Sequence, residues 1–172
     1  MSITTEQKFH GSAFKELIDG LASLENQIYY NIAPTNETRS GYVIEVIFKT
    51  QISTQPIKLG LYIKHSSKRR TPWRYSFKAA HQMEMDLLKN ECDEMFLILV
   101  AGNDGIASIN YSTLKEILDE NFDEDEWISL SRKSNQSYRV AGSNGRLKTT
   151  LAKNTFPNLI VDFIHKAQVF YT

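Results

Sequence analysis

Four side chains in the first half of the sequence, Glu25, Glu45, Lys64 and Glu84, have the types and spacing for ion-assisted chemistry. Ser12 can cap a helix running to about Asn31, with Phe14, Leu17, Ile18, Leu21, Leu24 and Ile28 at helical intervals. On that wheel Glu25 falls inside the apolar stripe. A second helix is expected from about Ser76 to Asn90, and Glu84 again lies mid-stripe, between Ala80 and Leu88. In "YVIEVIF" the two-residue period puts Val43, Glu45 and Ile47 on one face, and in "LGLYIKH" it puts Tyr62 with Lys64. A buried, unpaired carboxylate is strongly unfavourable, so two inward glutamates call for a cation, and a metal ion or a lysine is the simplest. Each residue also has a plain structural reading. Glu45 could be an edge-strand charge or a salt-bridge partner of Lys64, and Glu25 could pair with an arginine.

The elements that must position these groups read as a mixed α/β chain. Strands are expected at Gly41 to Ser53 and Pro56 to His65, paired antiparallel, with a loop from Pro34 to Gly41. The apolar run "MFLILVAG" marks a strand covered on both faces, and "IASIN" marks a short one after the "GNDG" turn. Ser112 can cap a helix to about Asn121. "EWISLSRK", "QSYRVAG" and "RLKTTLAK" form a meander with a tight turn at Ser143-Asn144-Gly145, and "PNLIVDFIHKAQVFY" closes the chain as a helix. The expected organisation is a single domain over residues 1–172: a core over 12–121, a β meander over 127–155 and a closing helix over 156–172.

Charge is balanced overall, with 20 basic and 20 acidic residues, but not locally. Lys64, Lys68, Arg69, Arg70, Arg74 and Lys78 fall in one acid-free stretch, and a second acid-free stretch holds Arg132, Lys133, Arg139, Arg146, Lys148 and Lys153. Between them, Glu116 to Glu126 carries seven acids and no base. Such runs are either solvated loops or a basic face for a polyanion. The single Cys92 excludes an internal disulfide framework and a cysteine-rich zinc site. There is no apolar leader and no apolar run long enough to span a bilayer, so a cytoplasmic protein is expected. No Walker A, Rossmann or G-x-S-x-G pattern is present.

The order helix-Glu, strand-Glu, strand-Lys, helix-Glu resembles the PD-(D/E)XK nuclease superfamily. In that family a helix precedes a β-hairpin. The first hairpin strand carries a metal-binding acid, the second ends in acid-x-lysine, and a helix and a hydrophobic strand complete the core. "ENQIYY" offers Glu25, "YVIEVIF" offers Glu45, "LYIKHS" offers Lys64, and "FLILV" looks like the core strand; the likeness covers residues 12 to 110. The chain departs from the pattern at Tyr62, which stands where the acid of acid-x-lysine belongs. Some members take that carboxylate from the following helix, where Glu84 lies. The resemblance implies a Mg²⁺-dependent endonuclease acting on DNA. Glu45 and Glu84 would hold the ion, Lys64 and Glu25 would complete the catalytic set, and Lys68, Arg69, Arg70, Trp73 and Arg74 would grip the nucleic acid. Duplex cleavage would imply a homodimer. The alternative is a catalytically inactive relative that binds nucleic acid or a protein.

Overall fold

The structure is a computed structural model and describes residues 1–50 and 55–171. Its elements run α1 (Thr5–Ala22), β1 (Ile28–Pro34), β2 (Gly41–Phe48), β3 (Ile57–Ser66), β4 (Trp73–Phe77), α2 (Ala79–Glu91), β5 (Glu94–Ala101), β6 (Gly105–Asn110), α3 (Tyr111–Leu114), β7 (Glu126–Ser131), β8 (Arg139–Gly142), β9 (Gly145–Arg146) and α4 (Thr155–Tyr171). The first sheet has five strands in the order β1-β2-β3-β5-β6, and the second has four in the order β4-β7-β8-β9. β1, β2 and β3 form an antiparallel meander, β5 returns parallel to β3 after α2, and β6 is antiparallel to β5.

The first sheet divides two apolar layers. Leu59, Leu61, Ile63, Phe96, Ile98 and Val100 face α1 and α4, packing with Leu17, Leu21, Ile160 and Ile164. Tyr62, Leu97 and Leu99 point the other way, toward Met85 and Leu88 of α2 and toward Tyr75, Ile128 and Val140 of the second sheet. Both faces of β3 and β5 are thus covered, as the unbroken apolar run of β5 requires. Burying each large aliphatic side chain contributes roughly 1.5–3 kcal/mol. The mixed α/β class read from the sequence is the class observed.

Several boundaries differ from the sequence reading. The first helix starts earlier, because Thr4 and Gln7 form a reciprocal capping box. Ser12 lies inside it, with its hydroxyl on the Lys8 carbonyl. The helix also stops at Ala22, and "IYYNI", rich in aromatic and β-branched residues, forms β1 instead of the helix's last turns. Trp73–Phe77 forms β4, burying alternate residues Trp73, Tyr75 and Phe77, so α2 begins only at Ala79. The helix expected over 112–121 is the four-residue α3, followed by turns through Leu118. The third meander strand shrinks to β9 and an isolated bridge between Tyr138 and Leu151. β2 ends at Phe48, and residues 51–53 of the strand expected there lie outside the described residues. No described helix is long and apolar enough to cross a membrane.

Candidate functional site at the end of the third strand

α2 lies against β3 at Gly60, where a Cβ would come within 2.6 Å of Leu88 Cγ. Only glycine lets the helix approach this closely. From that contact, the pairings step along both elements. One helical turn toward the α2 N-terminus is Glu84, and two residues along β3 is Tyr62. These are steps of about 6 and 6.6 Å respectively, so the side chains meet. The Tyr62 hydroxyl donates to Glu84 Oε2 at 2.5 Å. A further step brings Lys64 Nζ within 3.4 Å of His81 Nδ1. His81 is held in place from behind, because its Nδ1 also accepts the Lys78 backbone N–H at 3.2 Å, at the start of α2. An accepting Nδ1 means a neutral ring with its proton on Nε2.

The electrostatics follow from partial burial. Burial lowers the Lys64 pKa below the ordinary lysine range, and the Glu84 charge opposes that fall. Lys64 Nζ also lies 5.3 Å from the centre of the Phe77 ring. Burial, with Lys64 as a second cause, keeps the His81 pKa low. Burial and the Glu84 carboxylate push the Tyr62 phenol well above its usual range, while Thr38 and Ser40 act weakly the other way. The result is a Tyr-Glu, Lys-His constellation in which Tyr62 is buried and Glu84, Lys64 and His81 are half-buried.

Lys64 and Glu84 therefore come together, but the other two acids do not. Glu25 is exposed in the turn after α1, and its carbonyl accepts Lys49 Nζ at 2.6 Å. Because α1 ends before it, no helical stripe carries it inward. Glu45 faces Lys58 across the β2–β3 pair, with a 3.7 Å ion contact. Lys64 lies six residues farther along β3, about 20 Å at 3.3 Å per residue. Glu45 and Glu84 thus cannot share an ion, and the expected convergence of four side chains is replaced by a pair. Among the described residues, no group of three or more His, Cys, Asp or Glu side chains is placed to hold a metal. Among the described residues the donor set does not fit Mg²⁺: Glu84, the carboxylate facing Lys64, is already engaged by Tyr62, and Glu45 pairs with Lys58 farther along the sheet.

The basic stretch is also sorted by the fold. Lys68, Arg69 and Arg70 are exposed in the loop after β3. That loop rests on the β5–β6 turn at Gly102, whose φ is +54° and where a Cβ would meet the Lys68 carbonyl oxygen at 2.4 Å. Trp73 is not available to stack on a base. It is 3% exposed and donates its indole N–H to the Lys68 carbonyl at 2.9 Å, so it anchors the loop from below. Arg74 is exposed on β4, its guanidinium 4.6 Å from the centre of the Trp127 ring. Sequence reasoning missed Tyr62 and His81 as site members. The two-residue period linking Tyr62 to Lys64, and His81 one turn before Glu84, were the available signals.

Compared with known proteins, the chain matches no family model, no curated protein and no solved structure.

An exposed cross-strand ion pair contributes little. Glu45→Gln is expected to change stability by less than about 1 kcal/mol and to leave nucleic-acid binding unchanged. Urea denaturation and a binding titration check both; a large effect on binding would return Glu45 to the site.

Proposed function

We propose that this chain is a nucleic-acid-binding domain on a core that resembles the PD-(D/E)XK nucleases, working without their ion site. The supporting observation is at position 62. Tyr62 stands where the resemblance expects an acid, and its hydroxyl engages Glu84, the carboxylate that faces Lys64 among the described residues. The order of α1, the β2–β3 hairpin, α2 and the buried β5 supports this reading, as does the position of Lys64 near the end of β3. Lys64, with Glu84 as counter-charge and His81 neutral, is then a phosphate contact at the base of the Lys68–Arg70 loop. A point-charge lysine beside three exposed cations suits backbone binding without base readout.

The second reading, a Mg²⁺-dependent DNA endonuclease acting as a homodimer, is favoured by one observation: Glu84 does reach the acid-x-lysine strand from the following helix. The two readings separate in one experiment. The full chain is titrated with labelled DNA, with and without Mg²⁺, and the products are run on a gel. The expected result is binding with no cleavage. Lys68, Arg69 and Arg70 changed together to Ala should weaken binding at least tenfold and lower the salt slope by about one per lost phosphate contact. Mg²⁺-dependent cleavage that disappears in Glu84→Gln would replace this reading with the nuclease.

A further inference from the structure

The outward face of the second sheet is built like a platform for a polyanion, and nothing in the nuclease-like core accounts for it. Strand alternation sends Trp73, Tyr75, Phe77, Ile128, Leu130 and Val140 inward. The opposite face then carries Arg74 and Ser76 from β4, Trp127, Ser129 and Ser131 from β7, Arg139 and Ala141 from β8, and Arg146 from β9. The register sets four of these in one row across the sheet: Arg74 opposite Ser129, Ser129 opposite Ala141, and Ala141 opposite Arg146. Arg139 sits in the next row, opposite Ser131. All three arginines are exposed, while Ser129, Ser131 and Ala141 between them are small and half-buried. The floor is therefore low and hydroxyl-bearing, with arginine positions on both margin strands, about 14 Å apart across three strand spacings.

Among the described residues, none of the outward-facing positions of these strands is an acid. Glu126, the acid on β7, turns inward; it is 5% exposed and bonded to the Asp119 backbone and Asn144. Of the acids before it, Glu116 comes nearest the β8–β9 hairpin, with its carbonyl oxygen 2.7 Å from where a Cβ on Gly145 would lie. At the other end the face opens into a cleft lined by Thr71, Ser131, Lys133, Gln136 and Arg139. Arg132 in that cleft is already engaged by Asp104, with Nε and Nη2 each 2.6 Å from a carboxylate oxygen. Arg139 and Lys133 are the exposed cations there. Thr71 also accepts the Arg132 backbone N–H, which ties the end of the basic loop to this edge of the sheet. The positive surface thus continues from Lys68–Arg70, through the cleft, onto the sheet.

We infer that this sheet face is a docking surface for single-stranded nucleic acid, entering past the Lys68–Arg70 loop and crossing the strands toward Arg146. The inference rests on the proposed nucleic-acid-binding reading and names the surface that carries it. Charge complementarity selects a polyanion. The low floor, the bordering indole of Trp127 and its guanidinium partner Arg74 favour a strand whose bases are free to stack over a duplex, whose bases are sequestered.

The test is fluorescence anisotropy with a labelled single-stranded oligonucleotide and a duplex of equal length, over a salt series. The variant is Arg139→Ser with Arg146→Ser, two exposed positions whose loss spares the core; thermal unfolding confirms the fold. The expected result is preference for the single strand, about tenfold weaker binding in the double variant, and a salt slope lower by about 1.4, at 0.7 per phosphate. Wild-type affinity in the double variant, while the loop triple variant is impaired, overturns the sheet surface and leaves the proposed function standing. Tighter binding of the duplex overturns the single-strand assignment. Failure of the wild type to bind either probe overturns the proposed function and this surface with it.

Discussion

Replacing Asp104 with Ala is expected to lower the unfolding free energy by about 3 kcal/mol, because it strands a largely buried guanidinium. Asp104, in the β5–β6 turn, accepts two charge-assisted bonds from Arg132 and a third from the Tyr138 hydroxyl at 2.6 Å. The two ionic side chains are only 12% and 21% exposed, so solvent screens them weakly. The contact ties the first sheet to the second. Arg132→Met made together with Asp104→Ala should recover much of the loss, since neither charge is then left alone. Urea denaturation measures both, and a loss below about 1 kcal/mol in the single variant would show that the pair is not a junction. Acid gives a second readout. Arg132 holds the Asp104 carboxyl below its ordinary 3.8. The folded pKa is depressed, so this stabilisation is complete above the unfolded value and is lost as pH falls below it. Stability should drop on acidification below about pH 4 in the wild type and drop less steeply in Asp104→Asn.

Phe96→Ala is expected to cost about 3–5 kcal/mol, the range for deleting a buried aromatic side chain. Phe96 is 1% exposed, lies beside Leu61 in the parallel β3–β5 pair, and meets Phe163 of α4 edge-to-face at 5.7 Å between ring centres. The void would open between the first sheet and the closing helix, where no small shift of one side chain can fill it. Chemical denaturation with an unchanged m-value is the expected signature. A cost near 1 kcal/mol would mean that α4 packs loosely on the sheet.

How much of this was legible depended on whether one period dominated a segment. β5 declared itself as an uninterrupted apolar run, and β2 and β3 as alternating ones. β4 carries an equally clear alternation of Trp73, Tyr75 and Phe77, but the cations between and around them drew it into a single basic patch. The Glu25 assignment failed for a different reason. The apolar spacing from Phe14 to Ile28 continues across a real helix end, so a wheel drawn through it assigned a face to a residue that is not helical. Glu84 sits on a helix that exists, and its reach toward the Lys64 strand was readable. What no single-sequence pattern could supply was strand register. The two-residue period put Glu45, Tyr62 and Lys64 on consistent faces, but only the pairing of Glu45 with Lys58 fixes how far along the sheet they sit.

The second sheet also sets a timetable for the nascent chain. β4 is an edge strand whose one neighbour, β7, lies some fifty residues later in the sequence. At ribosomal rates of about 5–20 residues per second, Trp73, Tyr75 and Phe77 wait roughly 3–10 seconds for that partner to emerge. β1, β2 and β3 precede β4 in the chain, and β5 and β6 are synthesised within that interval, so the first sheet is complete before β7 emerges. The molecule should therefore acquire its five-stranded layer first, with a row of buried-type aromatics still uncovered, and that uncovered row is where a holding chaperone would bind during synthesis.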